Sequence, residues 1–202
     1  APGESPLSVW APVELIPTGR FQGLKRGSNA AKERIPLGCY GCPFYGAPTA
    51  VQLLEVTDVD HTGVLAKRST EALRAFVDAF FPHPVRYRKL WHQVGASPVH
   101  IWEPMPPAPE FVALGVVATR GDEGPLLTEV RCVPRPWVER SQECRVIWAG
   151  AGAGGVRVHF WAGVGTEGAD ALLHVTAGAA AEVAPDALSM GTGTFYVSPP
   201  NL

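Results

Sequence analysis

The sequence carries no surplus of charge: 17 Lys and Arg stand against 19 Asp and Glu, a formal charge of −2, and charged residues make up only 18% of the chain. A general nucleic-acid binder needs a basic balance to neutralise phosphates, so that class is set aside. Long apolar runs are missing too. The longest apolar candidates, Val146 to Val156 and Ala171 to Ala181, are rich in Gly and Ala and fall well short of the roughly 18 residues a membrane-crossing helix needs. Cysteine is sparse, at four in 202 residues, too few for a disulfide-built scaffold. Cys39-Tyr-Gly-Cys42 has C-x-x-C spacing, but eleven residues separate Cys132 from Cys144, where a zinc site needs a second close pair. Pro43 and Gly46 follow where a thioredoxin-like site needs a helix. Core or turn cysteines are expected, with neither metal nor cofactor. The chain has no G-x-S-x-G elbow and no H-E-x-x-H pair, and its scattered histidines point away from an enzyme. It opens at Ala1 without Met or a cleavable signal pattern, which reads as a processed or cut chain.

What the chain does have is turn-forming and apolar residues. Gly and Pro supply 22 and 20 positions, about a fifth of the chain against a usual roughly 12%. Both are poor in helix interiors, which excludes a mostly helical fold. Apolar residues at 46%, with six Trp, eight Phe and four Tyr, supply a core and exclude disorder. Many short strands joined by turns in one domain is the expectation.

The chain also resembles itself. Leu7-Ser8-Val9-Trp10-Ala11-Pro12 is echoed by Val99-His100-Ile101-Trp102-Glu103-Pro104, and Val158-His159-Phe160-Trp161 is a third copy. Ile35-Pro36-Leu37-Gly38 matches Val112-Ala113-Leu114-Gly115, and Pro48 matches Pro125, both at an offset of 77. Leu90-Trp91 precedes Trp102 as Ile147-Trp148 precedes Trp161. Such self-similarity marks repeated supersecondary units that share a core. The fold expected is all-β, a sandwich or prism-like domain over residues 1–202. It comprises two pseudo-repeats (5–98 and 99–157) and a degenerate third (158–202), and the three Trp strands favour the threefold prism.

Alternation places the strands. Val99 and Ile101 face opposite to His100 and Trp102, and the pattern recurs at Leu7 to Trp10 and Val158 to Trp161. Further strands are expected at Val51 to Val56, Thr128 to Val133, Arg145 to Trp148, Leu172 to Thr176 and Thr194 to Val197, with Pro104, Pro106, Pro107 and Pro109 ending the second opening strand. One stretch has the helical period instead: Leu73, Phe76, Val77 and Phe80 stand at i, i+3, i+4 and i+7. With Ser69 or Thr70 as N-cap and Pro82 as stop, this predicts one amphipathic helix at about 70–81, inserted into the β domain.

Several motifs dissolve on inspection. Gly150-Ala151-Gly152-Ala153-Gly154-Gly155 fits G-x-G-x-x-G, but a period-two run follows it where a dinucleotide site needs a helix, so a hairpin connection is expected. Asp58-Val59-Asp60-His61-Thr62-Gly63 resembles the start of a calcium loop, yet position twelve is Ser69 in place of a bidentate Glu; an acidic turn is the simpler reading, and weak calcium binding at Asp58 and Asp60 stays open.

Two groups remain as candidate sites. Arg20, Lys25, Arg26, Lys32 and Arg34 crowd a segment with a single acid, Glu33; it is either a solvated loop or an anchor for anionic lipid head groups or an acidic partner. His100 with Trp102, and His159 with Trp161, hold equivalent repeat positions on one strand face. They are either packed, hydrogen-bonded core pairs or polar-aromatic linings of shallow sugar-binding pockets.

The run Ile101-Trp102-Glu103-Pro104-Met105-Pro106-Pro107, then Phe111-Val112-Ala113-Leu114-Gly115-Val116-Val117, then Pro125 and Val130-Arg131-Cys132-Val133 resembles the tandem repeat of the vacuolar-protein-sorting-associated domain. That domain is found in chorein-type bridge lipid-transfer proteins and in small stand-alone plant and fungal proteins. Leu7 to Pro12, Pro36 to Gly41 and Pro48 fit the first copy of the repeat, and Tyr87 to Pro107 the junction between copies. The chain departs from the pattern in its basic insertion, its inserted helix, and Ala11 and Glu103 where the family usually has Arg. The resemblance implies an all-β, non-catalytic module of a larger membrane-trafficking protein, cytoplasmic and peripheral to membranes, with secretion left open. Its partner would be a protein or an anionic membrane surface; a carbohydrate-binding module is one alternative and an enzyme of unknown type the other.

Overall fold

The alternating segments form paired strands. In the computed structural model, which describes residues 7–11, 32–42, 54–57, 66–140, 144–164, 170–182, 185 and 188–190, the second and third Trp repeats each build a three-stranded antiparallel unit. In the second, β5 (Arg86–Gln93), β6 (Val99–Met105) and β8 (Val117–Thr119) lie side by side. In the third the same roles fall to β11 (Cys144–Ala151), β12 (Arg157–Val164) and β13 (Asp170–Ala177). The first copy shows the corresponding two strands, β1 (Ser8–Trp10) and β3 (Tyr40–Cys42). The units share an irregularity as well as an order. The β5–β6 register shifts between Lys89 and Trp91, and the β11–β12 register shifts between Val146 and Trp148. Each bulge thus leaves one extra residue, Leu90 or Ile147, just before the first tryptophan of its hairpin.

The three copies close on one another through backbone alone. Cys39 N–H donates to Val116 C=O at 2.8 Å, Val116 N–H to Leu173 C=O at 3.2 Å, and Leu173 N–H to Cys39 C=O at 2.9 Å. This ring of three bonds marks a pseudo-threefold axis within the all-β domain. The repeated Leu-Gly step lies beside it. A Cβ on Gly38, whose φ is +155°, would lie 3.0 Å from the Gly115 Cα, while one on Gly115 would meet nothing nearer than 3.4 Å. Around the axis pack Trp91, Ile101, Val116, Ile147, Val158, Phe160, Ala162 and Leu173, with Trp91 edge-on to Phe160 at 5.5 Å.

The helix α1 runs from Ala66 to Phe80, so it begins four residues before the expected start and holds Ser69 and Thr70 inside its first turns. Its stop is as expected. Phe81 N–H still bonds Val77 C=O at 2.8 Å, and Pro82 cannot continue the ladder. The predicted apolar face is the packing face: Leu73 and Val77 are buried with Phe81 against Ile35, Leu37, Val112, Leu114 and Val133, and Phe76 and Phe80 flank them. Arg131 seats the C-terminal end. Its Nη1 donates to Phe81 C=O at 2.9 Å and its Nη2 lies 2.8 Å from Asp78 Oδ1. A cation thus meets the carbonyl-rich end of the helix dipole.

Six further short strands form three separate pairs. β2 (Lys32–Ile35) pairs β4 (Leu54–Thr57), and β7 (Phe111–Val112) pairs β9 (Val133–Pro134). β10 (Val138–Arg140) pairs β14 (Leu188–Met190). Two expectations fail. Of Thr128 to Val133 only Val133 is strand, as the start of β9: residues Leu127–Glu129 make a 3-10 turn, and the Arg131 and Cys132 N–H groups donate to Pro36 and Pro82 C=O, both at 2.8 Å, instead of to a ladder. Nor does Pro104 end its strand. Met105 C=O accepts from Val85 N–H on the β5 side, so the Pro104 backbone faces the other side, where β8 pairs only His100 to Trp102 and a missing N–H breaks no bond. Thr194 to Val197 lies outside the described residues.

Gly38→Ala puts a Cβ into the tight axis with unfavourable φ, and should destabilise the fold by about 1–3 kcal/mol. Gly115→Ala should stay within about 0.5 kcal/mol of the parent. Equilibrium denaturant unfolding of the two variants side by side checks the asymmetry.

Candidate functional site

The basic segment reaches the described structure at only two of its five candidates. On β2, Arg34 stands opposite Glu55 of β4. Lys32 Nζ lies 2.6 Å from Glu55 Oε1 and Arg34 Nε 3.8 Å from Oε2. One carboxylate thus offsets both cations across the β2–β4 pair. Arg20, Lys25 and Arg26 lie outside the described residues, as do Asp58 and Asp60 of the acidic turn. Among the described residues no group of three or more His, Cys, Asp or Glu is placed to hold a metal ion.

The repeated His and Trp positions are built into the core. Trp102 and Trp161 are 8% and 7% exposed. Their indole N–H groups donate to the hydroxyls of Thr119 and Thr176, both at 2.8 Å. Each threonine sits on the third strand opposite the repeat histidine, His100 or His159. Each hydroxyl in turn donates onward, Thr119 to Gly121 C=O at 2.8 Å and Thr176 to Ala181 C=O at 2.6 Å. This relay satisfies a buried donor that would otherwise destabilise the core by about 1–3 kcal/mol. In the first copy Ser8 and Cys42 face each other at the corresponding pair, and the buried Trp10 Nε1 finds no acceptor among the described residues. With the indoles turned inward, the Trp102 and Trp161 faces are not surfaces on which a sugar can stack.

His100, 6% exposed, stacks on His92 with ring centres 5.5 Å apart. Its Nδ1 lies 3.3 Å from Asp122 Oδ1 without a hydrogen bond, and Lys89 Nζ pairs with that same oxygen. Burial first, then the Lys89 and His92 charges, hold the His100 pKa below its usual value.

The repeat signature itself shapes a groove. β6 and β8 stay paired only from Trp102 and Val117 inward. Beyond that point the chain runs out through Pro104, Met105 and Pro106, turns, and returns through Phe111 to Val116. The space between, about 430 Å³, is closed on the third-repeat side by His174, Val175 and Pro185. Leu90, Met105, Leu114 and Val175 give it an apolar lining, and Arg88, Glu103, Arg135 and His174 add the polar groups. Arg88 Nε lies 2.7 Å from Glu103 Oε2, and Arg135 Nε donates to Pro109 C=O at 2.9 Å. Burial pushes the His174 pKa down to about 4, so the imidazole is neutral near pH 7. Among its described lining residues there is no Ser, Thr or Cys. A second, shallower cleft of about 460 Å³ lies beside Gly154, Gly155 and Gly178, flanked by the exposed Arg157–Glu182 pair at 2.8 Å. As expected, the glycine run there is a hairpin connection, with Gly152 N–H bonded to Val156 C=O at 2.9 Å.

Arg88, Glu103, Arg135 and His174 are not among the residues the sequence points to. The available signal is the proline-rich run after Trp102, which reads as strand punctuation when its return partner is unknown.

Residues 33–164 match the family profile of vacuolar protein sorting-associated protein 62. No curated protein matches the chain. Among solved structures, the crystal structure of GNIP1Aa from Chromobacterium piscinae is similar over 74% of this chain, with 19% identity and a TM-score of 0.47, and the match spans 29% of that chain.

Two expectations follow. His174 and His100 both have lowered pKa values, whereas in the unfolded chain a histidine titrates near 6.5. Below that pH the unfolded state binds protons that the native state refuses, so stability falls as pH drops from about 6.5 towards about 4. Thermal melts should show a lower Tm at pH 5 than at pH 7, and His174→Gln should flatten that fall. Cys42→Thr places a hydroxyl where the other copies have one, and should stabilise the fold by about 1 kcal/mol through Trp10, read by denaturant unfolding.

Proposed function

The chain belongs to the vacuolar protein sorting-associated protein 62 family, and we propose that it is a non-catalytic binding module whose β6 groove docks a protein partner. The observation that carries this reading is the make-up of the groove. Arg88, the Glu103 to Pro106 stretch, the Phe111 to Val116 return and Arg135 all lie in the family-matched span 33–164, and the third repeat supplies the far wall. The polar groups support binding over catalysis. Arg88 and Glu103 neutralise each other, and His174 stays neutral through burial. A docking role in membrane trafficking, at the cytoplasmic side and peripheral to membranes, is the setting that the family name supports. Among the described residues no helix is long and apolar enough to cross a membrane. Docking an anionic lipid surface through Arg20 to Arg34 has weaker support, since Glu55 already offsets the two described cations of that segment.

The test is site-specific photo-crosslinking in cells. A photoreactive residue at Ala113, on the groove wall, should give a discrete protein adduct. The same residue at Arg74, exposed on α1, should give none, and Met105→Glu should remove the Ala113 adduct. Lipid adducts alone, or equal adducts from both positions, overturn the reading.

A further inference from the structure

We propose that the groove recognises a polypeptide segment in which an Asp or Glu side chain stands next to a bulky apolar one. The inference rests on the docking reading and names the partner's chemistry. Three features of the groove converge on it. The first is charge: its lining holds two arginines, Arg88 and Arg135, against one acid, Glu103, with His174 neutral. Arg88 is answered by Glu103, its Nη2 2.5 Å from Oε2. Arg135 is held differently. Its Nε donates to Pro109 C=O at 2.9 Å, and its backbone N–H to Glu110 C=O at 2.8 Å. These bonds position the guanidinium, while no carboxylate among the described residues forms an ion pair with it. Its terminal nitrogens carry four more N–H donors in a fork that matches a carboxylate.

The second feature is the apolar floor, where Leu90, Met105, Leu114 and Val175 suit a large aliphatic or aromatic side chain. At about 430 Å³ the space lies towards the lower end of the roughly 300–1,000 Å³ of binding pockets, which fits a short segment and not a domain. The third feature selects a polypeptide over other amphipathic anions. The Pro104 carbonyl faces the side of β6 that β8 no longer covers, since Met105 C=O is turned to Val85 on the β5 side. Proline adds no donor of its own, so this edge offers only acceptors. A backbone N–H is the complement to such an edge, as in strand-type peptide capture.

The experiment is selection of a random displayed-peptide library on the intact 202-residue chain, with affinities of the selected peptides measured by fluorescence anisotropy. The selected sequences should share an acid adjacent to an apolar residue. Arg135→Ala should weaken them about tenfold, as should replacing the peptide's acid by its amide. Glu103→Gln releases Arg88 and should tighten them about threefold, a gain that misfolding cannot mimic. Arg74→Ala should change nothing. Peptides without acid enrichment, or indifferent to both Arg135→Ala and Glu103→Gln, overturn the acidic-segment inference; if Met105→Glu still abolishes their binding, the docking reading survives. Failure to select any peptide, or binding unaffected by Met105→Glu, overturns both. Displacement of the peptides by phosphatidylserine vesicles would assign the groove to lipid and also overturn both.

Discussion

Three backbone N–H groups, from Cys39, Val116 and Leu173, each donate to the carbonyl of the next member around the axis, and everything else is arranged so that this ring can close. Its members lie 77 residues apart (39 to 116) and then 57 apart (116 to 173), so the closure is a long-range event that no single repeat can make. Backbone must approach backbone, and that explains the recurring Leu-Gly step. Gly38 meets Gly115, and Gly115 in turn meets the Cβ of Leu172 in the third copy. A side chain is therefore tolerated at one of the three positions but not at Gly38. The ring also ties the cores together, since Val116 and Leu173 pack in one cluster with Trp91, Ile101 and Phe160. The repeats share one hydrophobic interior, as units that cannot bury their faces alone must do.

Around that invariant frame the polar decoration diverges. The Trp–Thr relay is kept in the second and third copies, and in the first a cysteine stands where the threonine would. In the second copy Lys89 joins the Asp122 carboxylate and lies 4.8 Å over the Trp102 ring. Val146 pairs with Trp161 where Lys89 pairs with Trp102, so the third copy has no cation there. Backbone closure specifies the fold, and it leaves the copies at liberty to differ in surface charge. Arg131 shows how an insertion is absorbed. It belongs to the Val-Arg-Cys-Val signature, and it meets the end of a helix that, among the described residues, only the first copy has.

Much of this frame is legible in the sequence because it is periodic. The matched tryptophans, the Leu-Gly steps, the alternation of Val99 to Trp102 and the helical spacing of Leu73 to Phe80 all report local geometry, and each is where the residues put it. What escapes depends on partners distant in the chain. Thr128 to Val133 has strand-like composition, but its N–H groups answer carbonyls of Pro36 and Pro82, which no local pattern announces. Pro104 looks like a stop because strand composition does not say which side of β6 is covered. The start of α1 escapes because Ser69 and Thr70 are good caps, yet helix-forming Lys67 and Arg68 carry the helix beyond them. The groove residues escape for the same reason as the ring: Arg88 and Arg135 meet His174 only once the second and third copies are packed together.

This has a consequence for where function resides. Unmatched segments are the natural place to seek what sets one repeat protein apart, and here they are the basic insertion and the helix. The described end of the insertion, Lys32 to Arg34, and the helix are both drawn into contacts within the fold. Lys32 and Arg34 lean on Glu55, and α1 covers the apolar end formed by Ile35, Leu37, Val112 and Leu114. The repeat signature, by contrast, leaves something unfinished. Where β6 outruns β8, it opens a groove with an apolar floor, an acceptor-only edge and a positioned arginine. A pseudo-symmetric frame closes its own hydrogen bonds at the axis and leaves its strand ends uneven at the periphery. Uneven ends leave backbone and side chains available to another molecule, so the same mismatch of strand lengths that tolerates Pro104 also opens the groove proposed for docking.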